Sequence, residues 1–169
     1  RPRQGTYVAD FHRNGTLDIL VSIMSYNGGQ LPRDEIRSIL ELRRVLMNFA
    51  LESAIPLITQ EQFSQLSTQC EAFYAASSPE EAANLIYEFD HMLSGFSGNT
   101  LLPLIFCSFR APIKELWRRY IAHYGKEKLH KRNMELLRYI EKKDVEAAKR
   151  LIAGAVAATI SGNTEIYVK

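Results

Sequence analysis

Cysteine is scarce: Cys70 and Cys107 are the only two in 169 residues. Two distant cysteines make no disulfide framework, and their sparsity fits a reducing cytoplasm. No apolar run approaches the ~20 residues that span a bilayer, which speaks against a membrane protein. No charged segment followed by an apolar run reads as a signal peptide. Charge is nearly balanced, with 21 Lys+Arg against 19 Asp+Glu and a net of +2. That excess is too small to argue for nucleic-acid binding by composition. Catalytic signatures are missing too. There is no zinc-ligand spacing, no phosphate-cradling glycine loop and no Gly-x-Ser-x-Gly elbow. Gly28-Gly29 lacks the flanking strand and lysine. A Cys/His pair in space has no local support.

What is present is an ordinary globular share of apolar residues, 46%, in a chain long enough to bury a core as one domain. Thr6-Tyr7-Val8 reads as a short strand after Gly5. From there on the period is helical. Leu17, Leu20, Val21 and Met24 share a face, with a stop at Gly28-Gly29. A second helix opens at Pro32, with Asp34 and Glu35 suiting its positive end, and finishes before Pro56. Thr59-Gln60-Glu61-Gln62 and Ser78-Pro79-Glu80-Glu81 are capping boxes that open two more helices. Ser97-Gly98-Asn99 closes the second of these. Between Leu101 and Tyr124, Pro103 fits a first turn and Pro112 should kink or break the helix. Glu127 to about Lys142 is amphipathic, and Asp144 can cap a last helix that runs to about Ile160. The fold class expected from these elements is an all-α antiparallel bundle of about seven helices joined by short connections.

Polar residues on apolar faces are the candidate binding groups. Arg43 lies between Leu40 and Leu46. It reads either as a snorkelling surface arginine or as a guanidinium facing a pocket, able to hold an anion. Asp90 follows Ile86 by four, which sets it on or beside the buried face. A carboxylate there needs a partner, at the rim or deeper. Trp117, Tyr120 and Tyr124 form a stripe that suits a core or an amphipathic pocket wall. His123 and His130 read as surface groups beside a turn. Gly154 in the middle of a helix costs ~1 kcal/mol against Ala, so either a close helix contact or a bulky ligand is expected against it.

The ordered set Gln4-Gly5-Thr6-Tyr7-Val8, Leu17-Asp18-Ile19-Leu20, Glu41-Leu42-Arg43, Phe96-Ser97-Gly98-Asn99 and Asp144-Val145-Glu146-Ala147-Ala148 resembles the effector-binding (FCD) domain of GntR-family transcription regulators, FadR subfamily. The resemblance spans nearly the whole chain and implies an all-α bundle of six to seven helices around a central ligand pocket. It implies that residues 1–11 are the remnant of a winged-helix wing strand and linker, and that 12–169 are the effector-binding and dimerisation domain. The chain begins at Arg1, which we read as a fragment or processed form of a longer regulator. The resemblance also implies a homodimer in the cytoplasm and no catalysis. Operator DNA would be bound by an N-terminal head, where Arg1 and Arg3 would contact phosphate.

Many members of the family hold a metal through an Asp, a His four residues later and two further His. The corresponding positions here are Ile86, Asp90, Asn133 and Ala155, so neither metal nor any other cofactor is expected. The metal-free, fatty-acid-responsive branch is the nearer relative by that criterion. It is similar again at His123-Tyr124 and at Gly154, while Ala157 and Ser161 depart from its ligand contacts. The effector implied is an acyl-CoA, a fatty acid or an organic acid. Arg43 would hold its anionic group, Asp90 and Asn133 would supply polar contacts, and Gly154 would allow close approach. Phe89, Leu93, Phe106 and Trp117 could line a long apolar tunnel. A compact pocket for a small organic acid is the other reading within the family. Outside it stand a ligand-free helical interaction module, with a solid core and an exposed apolar patch, and a helical enzyme built around Asp90.

Overall fold

A computed structural model describes residues 10–16, 18–26 and 31–161. The expected strand at Thr6–Val8, the wing arginines and the C-terminal tail lie outside the described residues. Every described element is a helix: α1 (Phe11–Asn14), α2 (Asp18–Tyr26), α3 (Arg33–Ala54), α4 (Gln60–Ala75), α5 (Pro79–Phe96), α6 (Leu102–Ser108), α7 (Arg110–Tyr124), α8 (Glu127–Glu141) and α9 (Val145–Ile160). The expected bundle of six to seven becomes nine helical segments among the described residues. One of them is a single turn, and the Leu101–Tyr124 stretch divides in two.

Local chemistry accounts for the helix ends. At α4 the Thr59 hydroxyl accepts from the Gln62 amide at 3.2 Å, and the Gln62 side chain accepts from the Thr59 amide at 3.0 Å. That pair satisfies two donors the helix cannot use itself. At α5 Ser78 accepts from the Glu81 amide, with Pro79 in the first turn where no amide is needed. Asp144 accepts from the Ala147 amide at 2.9 Å to open α9. The Ser97-Gly98-Asn99 segment works as a corner. Gly98 takes a φ of +73°, and the Asn99 carboxamide oxygen accepts from the Leu101 and Leu102 amides at the head of α6.

Pro112 acts at a distance. Its ring would clash with the Ser108 carbonyl and leave it unbonded in a continuous helix. The chain resolves this by ending α6 at Ser108 and restarting at Arg110, so that Pro112 falls in the first turn of α7. The break is therefore at Phe109, three residues before the proline that causes it.

Helix α8 ends with Lys143 in the left-handed region, φ +57°. The Asp144 amide reaches back to the Tyr139 carbonyl and the Lys143 amide to that of Ile140, the two bonds of a Schellman stop. The Lys143 ammonium then donates to the Ile58 carbonyl at 2.7 Å, and Lys126 donates to the Tyr74 and Ala76 carbonyls. Two lysines thus tie the later turns to the carbonyl-rich ends that follow α3 and α4.

Helix α5 runs through the middle and packs on α3, α4, α6 and α7; α3 lies against α9, and α4 against α8. The core is two apolar clusters rather than one. The first gathers Ile36, Ile39 and Leu40 with Tyr87, Ile113, Trp117, Leu129 and Val156. The second gathers Met47, Leu51 and Ile55 with Phe89, Leu93, Phe106, Leu136 and Ile152. Five helices, α3, α4, α5, α8 and α9, carry residues into both clusters; on three of them a buried polar residue stands at or beside the change, Arg43 on α3, Asp90 on α5 and Asn133 on α8.

Removing the α9 cap by Asp144→Ala should cost about 1 kcal/mol, read as a lower urea midpoint at unchanged slope.

Candidate functional site

The polar seam between the two clusters is fully inside the protein. Arg43 is 4% exposed, Asp90 3% and Asn133 2%. Arg43 is therefore not a snorkelling surface arginine. Its Nε donates to Asp90 Oδ2 at 3.1 Å, and its Nη2 donates to the same oxygen. The pair joins α3 to α5 across 47 residues of sequence. Asp90 is not a rim residue either, for its partner is as buried as itself.

A second arginine stands at the seam. Arg132, on α8, donates from Nη2 to the Asn133 side-chain oxygen at 3.2 Å. The guanidiniums of Arg43 and Arg132 both lie over the Trp117 ring, 4.9 and 5.2 Å from its centroid. Such placement lets the ring's negative face offset part of the charge. One carboxylate thus faces two guanidiniums, and the seam carries a surplus positive charge. Burial, and then the repulsion of Arg43, push Arg132 down to about 10. It remains protonated at neutral pH. Its proton is held less tightly in the folded chain than in the unfolded one, so its charge costs stability.

A cavity of about 340 Å³ opens beside this seam. Apolar and aromatic walls come from Ile39, Leu40, Ile113, Leu116, Trp117, Tyr120 and Tyr124, and its far side from Ala155, Val156, Ala158 and Thr159 of α9. Three cations line it (Arg43, Lys128 and Arg132), and no carboxylate does. Lys128 is exposed, at the rim. Among the described groups, three buried side-chain donors lack a protein acceptor: Arg132 Nε, Trp117 Nε1 and Asn133 Nδ2. Buried donors in native proteins nearly always find a partner. Here two of them belong to residues that wall the same cavity.

Of the residues singled out in the sequence, the structure brings Arg43, Asp90, Asn133 and Trp117 to one place. It does not bring Gly154 there. Gly154 is exposed, and a Cβ built on it meets nothing within 4 Å. Neither a neighbouring helix nor the cavity accounts for this glycine. Phe89, Leu93 and Phe106 fill the second apolar cluster instead of lining a tunnel. His123 is exposed, whereas His130 is half-buried and stacked on Tyr74 at 4.2 Å. Arg132 was not among the residues singled out. A signal for it exists: position 132 follows Leu129 by three and precedes Leu136 by four, on the apolar side of α8.

Residues 38–158 match the FCD domain family, and the chain belongs to it. That family is the C-terminal effector-binding domain of GntR-type regulators, which are not enzymes. No curated protein and no solved structure matches the chain significantly.

The metal found in many such domains does not suit the residues here. Ile86 is buried core and Ala155 is apolar wall. Asp90 is engaged by Arg43, and the Asn133 oxygen accepts from Arg132. One occupied carboxylate and one occupied amide, with no imidazole between them, are a poor donor set for a transition metal. Among the described residues, no group of three or more His, Cys, Asp or Glu could hold a metal ion, and no helix is long and apolar enough to cross a membrane.

Asp90→Ala leaves two buried guanidiniums without their counter-ion and should destabilise the domain by about 3–5 kcal/mol, measured by urea unfolding. Gly154→Ala should stabilise it by about 0.5–1 kcal/mol. A destabilised Gly154→Ala variant would mean that the glycine is covered in the functional assembly.

Proposed function

We propose that this chain is the sensing domain of a GntR-type transcription regulator and that its effector is a small carboxylic acid with an apolar body. The observation that carries this reading is the charge surplus of the seam. Two guanidiniums share one carboxylate at the wall of a cavity lined by cations and unpaired donors. A carboxylate entering it would neutralise the surplus and accept from Arg132 Nε and Trp117 Nε1. Arg132 is then the principal anion anchor, because Arg43 already spends two of its donors on Asp90. Arg43 and Asp90 hold the wall in place, and Asn133 orients Arg132.

Size narrows the class. The cavity has about twice the ~150 Å³ that accommodates a benzene-sized guest in an engineered protein. This favours an acid with one ring or a short branched chain over the long acyl tail of an acyl-CoA. A cavity of this size also counts against a ligand-free interaction module. The interior it would need is solid.

The rest of the regulator follows from the family. A winged helix-turn-helix head N-terminal to this domain binds operator DNA in the cytoplasm, and the domain pairs with a second copy of itself. Leu42, Val45 and Phe49 stay exposed at i, i+3 and i+7 along α3, an apolar stripe that supports such pairing. The effector regulates only if it binds one arrangement of the two heads better than the other.

Thermal-shift measurements on the domain with a panel of aromatic and branched-chain monocarboxylates test the reading. At least one should raise the melting temperature in a saturable way. Arg132→Met should raise the ligand-free stability by about 1 kcal/mol, since it removes a desolvated charge, and should abolish the response. A response to long-chain acyl-CoA alone, or one that survives Arg132→Met, would overturn the assignment.

A further inference from the structure

Next to Asp90, on an adjoining face of α5, a different cluster assembles. Cys107, on α6, is exposed. Its Sγ lies 3.4 Å from His91 Nε2 on α5. The other ring nitrogen, His91 Nδ1, faces Glu88 Oε2 at 3.9 Å. Arg110, at the start of α7, approaches the sulfur with Nη2 at 3.9 Å and covers the Tyr87 ring at 5.3 Å. Tyr87 in turn stacks on His91 and donates to the Phe106 carbonyl. The groups facing the thiol are therefore one imidazole, one guanidinium, one carboxylate behind the imidazole and one phenol. Three helices contribute to them, and the cluster is separate from the cavity.

We propose that Cys107 is a modification site, a nucleophilic thiol with His91 as its proton acceptor, that small hydroperoxides oxidise to the sulfenic acid. The arrangement has the three parts that thiol chemistry needs. A base sits within hydrogen-bond reach of the sulfur, a carboxylate lies at ion-pair distance from the base's second nitrogen, and a cation flanks the sulfur. The thiol proton passes to His91 Nε2. The sulfur attacks the terminal peroxide oxygen; the S–O bond forms as the O–O bond breaks. The departing oxygen leaves with the electron pair and takes the proton back from His91, with Arg110 placed to hydrogen-bond to it. Sulfur is oxidised by two electrons and the peroxide is reduced to water or an alcohol. Cys70, the other cysteine, is no rival for the reagent. Burial pushes its thiol up to about 11, and it packs against Met134 and His130.

The test uses the chain as it exists. Hydrogen peroxide is added with dimedone, and the peptides are read by mass spectrometry. The dimedone adduct is expected on Cys107 and not on Cys70. Alkylation by iodoacetamide near neutral pH should proceed about tenfold faster at Cys107 than at glutathione. His91→Gln should lower that rate about fivefold and flatten its pH dependence, and Glu88→Gln, at a half-exposed position, should lower it by a smaller factor. A wild-type rate no greater than that of glutathione would overturn the proposal without recourse to any variant. So would a His91→Gln variant, helical by circular dichroism, with an unchanged rate and pH profile.

Discussion

The buried ion pair between Arg43 and Asp90 is the constraint around which the domain is organised. It crosses from α3 to α5 at the level where one apolar cluster gives way to the other. Neither charge could be tolerated there alone, because removing an ion from water costs several kcal/mol that only a well-placed partner returns. Each helix through the seam therefore has to hold its register. A rotation of α3 by one residue would move the guanidinium out of the seam and leave Asp90 without its counter-ion.

The same pair explains why a cavity with positive walls can exist inside a domain whose overall charge is small. Asp90 places both donor contacts of Arg43 on a single oxygen. It is not among the residues that wall the cavity, and Arg132 is left with a neutral amide as its partner. Trp117 supplies apolar area and ring charge to both guanidiniums and so makes the arrangement tolerable in the absence of an anion. The seam is held together by these contacts, yet Arg132 Nε, Trp117 Nε1 and Asn133 Nδ2 have no acceptor within the protein. The family resemblance and the geometry also diverge here. The one carboxylate that could ligate a metal is committed to a guanidinium.

Much of the fold was legible in the sequence. Thr59, Ser78 and Asp144 were readable as caps because a cap bonds to an amide two or three residues away. Pro103, Pro79 and the corner at Ser97-Gly98-Asn99 act over the same range. Pro112 was readable as a break, but the break sits at Phe109, since the clash falls on the preceding turn. The site was legible only in part. Arg43, Asp90 and Trp117 stand on apolar stripes, which marks them in the sequence, whereas Asn133 is marked only by the family resemblance. Arg132 stands on such a stripe too, three residues after Leu129 and four before Leu136. Gly154 attracted notice for its cost in a helix, and the structure gives it no contact that repays that cost.

The sequence by itself determined where helices start and stop and which of their faces are apolar, because those choices are settled by hydrogen bonds and periodicity within one or two turns. Tertiary structure alone decided that Arg43 is buried, that Asp90 is its partner from 47 residues away, that Arg132 is left short of an acceptor, and that Cys107 meets His91. Those outcomes depend on whether a distant group offsets the loss of water around a charge or a thiol. No local pattern records which groups helix packing will bring into contact.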